Sequence, residues 1–194
     1  DYTDEEKAVA CTLLGEIGSS ISDQAERIEK MRNVFTVIHN RSVNGKWNTG
    51  PISMQNIVTE ANRNRRGVLV YQFSCWSEDP DMDVNDLQGT FDYWERERPN
   101  RYQEALDIVR EGNISTEVGE SVYYYAPSSY APNTSVPIPD FADAVTRRGT
   151  PCWEEIHDDG SHKFGISGRP WNNCVWGWVN QQGGARWINR RDGN

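Results

Sequence analysis

The sequence predicts an α+β, mainly α protein with a small antiparallel β-sheet. Two observations indicate this class. Apolar residues recur at helical spacing in several stretches up to Glu111, and shorter stretches rich in β-branched and aromatic residues follow at Ser121–Ala126 and His162–Ile166. The chain has 194 residues, which is enough for a substantial core. We expect one soluble domain over residues 1–194, with a Trp-rich C-terminal extension over 166–194.

Five stretches up to Glu111 predict helices. The first begins after Thr3, whose hydroxyl can cap it with Glu6 three residues on, and Ala10, Leu13, Leu14 and Ile17 form its apolar stripe. The second begins at Ser22 or Asp23 and ends near Asn44-Gly45. The other three are predicted over Met54 to about Asn64, Thr90–Arg98 and Arg101–Glu111, the last stopped by Gly112.

One strand is expected between the predicted helices, and further strands are expected after Glu111. Val68–Phe73 is predicted as a short buried strand, and the preceding Asn62–Arg66 as a solvated helix end or a contact for an anionic polymer. In Ser121–Ala126, Tyr123 and Tyr125 should face one way and Tyr124 the other. We expect a loop over Pro127–Pro139, a short helix over Asp140–Arg148, a strand over His162–Ile166 and a Trp-bearing hairpin around Gly183-Gly184.

Composition excludes some partners and favours others. The formal net charge is −9, without the extended basic patch that nucleic acid binding needs. No apolar run is long enough to cross a bilayer, and we expect no membrane partner. Eight Trp, eight Tyr and five Phe in a polar chain are typical of carbohydrate-binding clefts, because sugar rings lie flat on aromatic faces. The alternative is that these rings fill a small core.

The four cysteines are scattered and include no CxxC pair, which argues against a zinc knot and a disulfide-dense scaffold. Cys11 is predicted to be a buried thiol of the first helix. The sequence leaves open whether Cys75, Cys152 and Cys174 are free or paired. We expect no metal and no cofactor.

Glu16 is the candidate for chemistry. It falls about 120° from the middle of the first helix's apolar stripe, so it belongs neither to the centre of the core nor to open solvent. The adjacent Gly15 and Gly18 leave room for another group to come close. A carboxylate at such a flank can lie in the wall of a cleft.

Five separated motifs occur in one order along the chain. They are Gly15-Glu16, Asn40-Arg41, Gln72-Phe73-Ser74, Tyr123-Tyr124 followed by Pro127, and His162 with Phe164. Over roughly Asp4–Gly165, the chain thereby resembles the cell wall hydrolase family typified by the germination-specific spore cortex-lytic enzyme (SleB-type). The resemblance implies a lysozyme-like helical domain that cleaves peptidoglycan between N-acetylmuramic acid and N-acetylglucosamine.

The resemblance implies roles for particular residues. Glu16 would be the catalytic acid. The residues themselves indicate a structural role for Asn40-Arg41, whose side chains would pin a helix end. The substrate-binding candidates are Gln72, Phe73, Ser74, Tyr124, Tyr125, Trp153 and His162. The alternative for the two tyrosines is a place in the core, and the alternative for His162 is a structural role. The family's usual second acid after the glutamate motif is replaced here by Ile17-Gly18-Ser19-Ser20. A lytic transglycosylase needs one acid/base, whereas a hydrolase needs a second carboxylate, for which Asp158 and Asp159 are candidates.

The expected partner is therefore the glycan strand of peptidoglycan, bound by a monomer. We expect action on the bacterial wall, in the periplasm or the spore cortex. Because walls are themselves often anionic, the acidic charge favours delivery by a phage, either as an endolysin made in the host cytoplasm or as part of the virion. Two alternatives are a non-catalytic glycan-binding or virion module and a metal-dependent amidase using His157 and His162.

Overall fold

Helix α1 (Asp4–Ile17) is the central element of the first of two compact units in the computed structural model of the chain. The structure describes residues 1–17, 21–44, 50–63, 66–130, 138–139, 141–146, 148–167 and 174–175. The first unit spans Asp1–Ser115 and the second Thr116–Asn194. A single domain over the whole chain stays a prediction.

The predicted capping box begins α1. The Thr3 backbone N–H donates to Glu6 Oε2 at 2.7 Å, and the Glu6 N–H donates to Thr3 Oγ1 at 3.2 Å. The predicted stripe is buried, but so is every residue from Ala8 to Leu14. This happens because α1 contacts all the other helices of its unit, from α2 to α6. It is a core helix rather than one that is apolar along a single stripe.

The remaining helices of the first unit surround α1. Helix α2 spans Gln24–Asn44, α3 Met54–Thr59, α4 Cys75–Glu78, α5 Leu87–Glu97 and α6 Pro99–Glu111. The bounds predicted for α2 and α6 are confirmed within two residues. Gly112 ends α6 at φ +66°, a left-handed conformation that glycine adopts without steric cost. None of the described helices has the length and apolarity needed to span a bilayer.

The predicted third helix is wrong at its C-terminal end. It stops at Thr59, and Ala61–Arg63 form strand β1, which pairs antiparallel with β2 (Leu69–Tyr71). The second strand was expected to be buried, but Val68, Leu69 and Val70 are 57%, 44% and 49% exposed. The pairing of β1 with β2 therefore overrides the local helical pattern and forms a hairpin open to solvent.

The second unit contains the predicted sheet. Strand β3 (Tyr123–Tyr125) pairs antiparallel with β6 (Lys163–Ser167), which also pairs with β5 (Trp153–Asp158), giving the order β3-β6-β5. The short helix expected over Asp140–Arg148 is wrong in its described part, where Val145–Thr146 form β4. Strand β4 pairs with β7 (Cys174–Val175), and a disulfide links Cys152 to Cys174.

The mixed, mainly helical α+β class is confirmed by six α-helices and small antiparallel sheets among the described residues. A 3-10 helix over Pro127–Ser129 begins the segment predicted as a loop. The hairpin expected around Gly183-Gly184 and most of the Trp-rich extension lie outside the described residues.

Candidate active site

Glu16 lies in the last turn of α1, and its side chain is half-buried. The carboxylate oxygen Oε1 is shielded from solvent. This is the intermediate position that the helical spacing predicts, between the core centre and open solvent. The position follows from α1 itself, because residues on its other sides are held in the core by the surrounding helices.

The thiol of Cys75 is the neighbour that the structure brings to Glu16. Cys75 begins α4, is buried, and its Sγ lies 4.0 Å from the carbonyl oxygen of Thr12. Burial raises the pKa of this thiol well above its usual range, and the charge of Glu16 and a hydrogen bond to it raise it further. Cys75 is therefore a neutral thiol beside Glu16 rather than a nucleophilic thiolate.

Close packing between α1 and α4 places Cys75 there. A Cβ atom added to Gly15 would lie 2.6 Å from Cys75 Cβ and 2.9 Å from Met82 Sδ. The Trp76 indole N–H donates to Thr12 Oγ1 at 3.1 Å and ties α4 to the same side of α1. The room that Gly15 leaves is thus filled by the protein's own side chains. Glu16, on the flank of the helix, remains half-buried at this end, as does Gly15 itself.

The Gln72-Phe73-Ser74 motif connects β2 to α4. Phe73 is 1% exposed, and the guanidinium of Arg41 lies 5.4 Å from its ring centroid. Phe73 therefore anchors the segment in the core and offers no ring face to a sugar. Gln72 and Ser74 on either side are exposed. The contact with Phe73 gives Arg41, in the last turn of α2, the structural role expected for it.

A second carboxylate near the thiol escaped the sequence analysis. Asp79 follows α4 and acts electrostatically on Cys75, more weakly than burial and Glu16 do. One of its oxygens accepts a hydrogen bond from the Asp81 backbone N–H at 2.9 Å. The two residues predicted as a second carboxylate, Asp158 and Asp159, have another role. Asp158 and Asp159 accept backbone hydrogen bonds within the turn between β5 and β6.

The predicted aromatic residues of the second unit lie on two faces of the β3-β6-β5 sheet. Tyr124 contacts His162 at a ring-centroid distance of 5.2 Å, and His162 is buried. Tyr125 contacts Trp153 on the other face at 5.8 Å. The predicted alternation of the tyrosines is confirmed. These candidates therefore form two pairs and do not line one common surface.

Phe141 completes the cluster around Tyr125. Its ring stacks on Tyr123 at 4.7 Å and meets Tyr125 edge-on at 6.1 Å. A Cβ atom at Gly165 would lie 2.7 Å from the Trp153 ring, so glycine is needed for that ring to lie across β6. The half-buried rings of Tyr125 and Trp153 give this face an aromatic surface of the kind that sugars stack on.

A cavity of about 730 Å³ opens elsewhere in the first unit, between α2 and α6. Arg27, Arg101 and Glu104 are among its lining residues, and Glu16 is not. Inside it, Arg27 Nε and Nη2 each donate to Glu104 at 2.8 Å. The paired charges mark this cavity as a structural contact between helices rather than as part of the Glu16 site.

Comparison of the chain with protein-family models, with curated proteins and with solved structures finds no match. The assignment of function therefore rests on the ordered motifs and on the geometry around Glu16.

Proposed function

We propose that the protein cleaves peptidoglycan glycan strands between N-acetylmuramic acid and N-acetylglucosamine, with Glu16 as the acid/base of a lytic transglycosylase. The observation that carries the proposal is the half-buried carboxyl group at the end of the central helix, with its oxygen Oε1 shielded from solvent. Partial burial of a carboxyl group favours its protonated form, which a general acid needs.

The chemistry uses one carboxyl group twice. Protonated Glu16 donates its proton to the glycosidic oxygen, and the bond between that oxygen and the anomeric carbon of N-acetylmuramic acid breaks. The carboxylate of Glu16 then accepts the proton of that sugar's 6-hydroxyl, whose oxygen bonds to the anomeric carbon. The products are a 1,6-anhydro end and a free 4-hydroxyl. Water takes no part, so no second carboxylate is needed.

The test is a Glu16→Gln variant assayed for clearing of a peptidoglycan suspension. We expect the rate to fall by about 10²- to 10⁴-fold, the usual contribution of a general acid. Glu78→Gln is the matched control, because Glu78 is an exposed glutamate of the neighbouring α4. Clearing by a folded Glu16→Gln variant at the wild-type rate would rule out the proposal.

Product analysis separates the two possible chemistries. Mass spectrometry should detect 1,6-anhydro ends, and an Asp79→Asn variant should keep its activity. A hydrolase with Asp79 as the second carboxylate predicts reducing ends instead, together with loss of activity in that variant.

A non-catalytic glycan-binding module is the second candidate. The half-buried rings of Tyr125 and Trp153 favour it, since they form an aromatic surface in the unit that does not contain Glu16. Sedimentation with insoluble peptidoglycan, without release of soluble fragments by the wild-type protein, would support this candidate over the enzyme.

A further inference from the structure

The β1–β2 hairpin concentrates exposed aliphatic side chains. Val68, Leu69 and Val70 follow one another and are each between 44% and 57% exposed. They are three of the six strongly exposed large apolar side chains among the described residues. A run of this kind on one small element is more than scattered surface hydrophobicity and indicates an interaction surface.

The same segment is basic in an acidic protein. Residues 61–77 contain three arginines, Arg63, Arg65 and Arg66, and no Asp or Glu, whereas the chain as a whole has a formal charge of −9. Arg63 Nη1 donates to the carbonyl oxygen of Gly67 at 2.7 Å and closes the hairpin, in which Gly67 has φ +77°. Charge complementarity therefore favours an anionic partner that also accepts aliphatic groups.

The pairing of the strands decides between partner classes. Leu69 lies opposite Arg63 and Val70 opposite Asn62, so successive aliphatic side chains point to opposite faces of the hairpin. Both faces are exposed. A folded protein would cover one face of a two-stranded sheet, and the three aliphatic side chains offer a glycan neither rings nor hydrogen-bonding groups. The interface of a bilayer can accept both faces at once.

We propose that the β1–β2 hairpin anchors the protein reversibly to an anionic lipid surface, with Val68–Val70 entering the interface and Arg63 and Arg66 contacting phosphate groups. The expectation of no membrane partner rested on the lack of a spanning run, and an interfacial anchor needs none. The inference is independent of the activity at Glu16.

Sedimentation of the full chain with vesicles tests the proposal. We expect the protein to pellet with vesicles that contain roughly one third phosphatidylglycerol, and to remain in solution with pure phosphatidylcholine. Salt at about 0.5 M should release it, because the arginine contacts are screened. A wild-type protein that does not pellet with the anionic vesicles overturns the proposal.

Variants locate the binding on the hairpin. The triple change Val68→Thr, Leu69→Thr and Val70→Thr keeps β-branched strand formers and should lower partitioning at least about tenfold. Arg66→Gln should lower it about fivefold, the equivalent of about 1 kcal/mol per arginine near the surface.

The matched control is Ile114→Thr, since Ile114 is 44% exposed, as Leu69 is, but lies outside the hairpin. It should partition like the wild type. Two results overturn the proposal: unchanged partitioning of both the triple variant and Arg66→Gln, or a triple variant that keeps lipid binding but loses binding to isolated peptidoglycan. The second result assigns the hairpin to a glycan.

Discussion

One side chain, Cys75, determines what both residues of the Gly15-Glu16 motif can do. Its Cβ atom occupies the space beside Gly15, and its thiol interacts electrostatically with the Glu16 carboxylate. The glycine is therefore required for packing between two helices, and that packing brings the Cys75 thiol to the side of Glu16. A change at Gly15 should act on stability directly and on Glu16 through Cys75.

Gly15→Ala should destabilise the protein. The new Cβ would lie under 3 Å from atoms of Cys75 and Met82, and overpacking of this kind costs about 1–3 kcal/mol. Alanine's better helix propensity offsets about 1 kcal/mol of that cost. Urea denaturation should therefore give a free energy of unfolding lower by up to about 2 kcal/mol. An increase in stability would show that α1 and α4 are not in close contact there.

Glu6 should make stability depend on pH in the acid range. Hydrogen bonds from Arg110 and from the Thr3 backbone lower the pKa of Glu6 from 4.5 to about 2. A lowered pKa in the folded state means that the stabilisation is complete above pH 4.5 and is lost as pH falls toward 2. The melting temperature of Glu6→Gln should thus lie below that of the wild type at pH 6, and the two melting temperatures should converge near pH 2. A constant difference across this range would contradict the assignment.

At the scale of the elements, the Arg27–Glu104 pair is the principal polar contact between α2 and α6. The two side chains are 7% and 12% exposed and meet through two parallel hydrogen bonds. Arg27 Nη1 also donates to the carbonyl oxygens of Ile21 and Ser22, just before α2 begins. The guanidinium of Arg27 therefore links α2 to α6 and also fixes the residues that precede α2.

Arg27→Met should cost about 1–3 kcal/mol of unfolding free energy, because it leaves the half-buried Glu104 carboxylate without its counterion. The double change Arg27→Met with Glu104→Leu should recover part of that loss, since two apolar groups can replace a buried ion pair. Recovery should be incomplete, because the bonds to Ile21 and Ser22 stay lost. A single-variant cost under 1 kcal/mol in urea titrations would indicate a solvated pair.

Helices α1, α2 and α6 were predictable because their signals are local, whereas no helix was predicted over α4. The Thr3 capping box and the glycine after α6 both lie within a few residues of the helix ends that they define. The hairpin was not predictable in the same way. Residues Ala61–Arg63 continue a helical pattern, and only pairing with Leu69–Tyr71 makes them a strand. That pairing also exposes residues whose composition indicated burial.

The candidate site likewise contains features that local sequence signals predict and features that depend on tertiary packing. The flank position of Glu16 follows from helical periodicity, so the sequence could predict its half-burial. Cys75 and Asp79 reach the site through tertiary packing of α4 on α1, which no spacing in the chain encodes. In the sheet, the alternation of Tyr124 and Tyr125 was predictable from a single strand. Because successive side chains of a strand point to opposite faces, Tyr124 and Tyr125 lie on different faces of the sheet. A common substrate cleft would require both on one face.

At the scale of the whole molecule, the free thiols and the disulfide lie in different units. Cys11 and Cys75 are buried thiols of the first unit, and the Cys152–Cys174 disulfide belongs to the second. Reducing conditions should therefore act on one unit only. This gives a way to test whether the two units unfold separately.

Reduction of the disulfide should destabilise the second unit by about 3 kcal/mol, the value expected when a cross-link closes a loop of this length. The linked cysteines are 22 residues apart. Hydrogen exchange followed by mass spectrometry should show faster exchange in peptides from β5 and β6 after reduction, and unchanged exchange in peptides from α1. A Cys152→Ser/Cys174→Ser variant should match the reduced protein, whereas Cys11→Ser should affect α1 without altering β5 and β6. Equal acceleration in both units on reduction would mean that they open as one cooperative body.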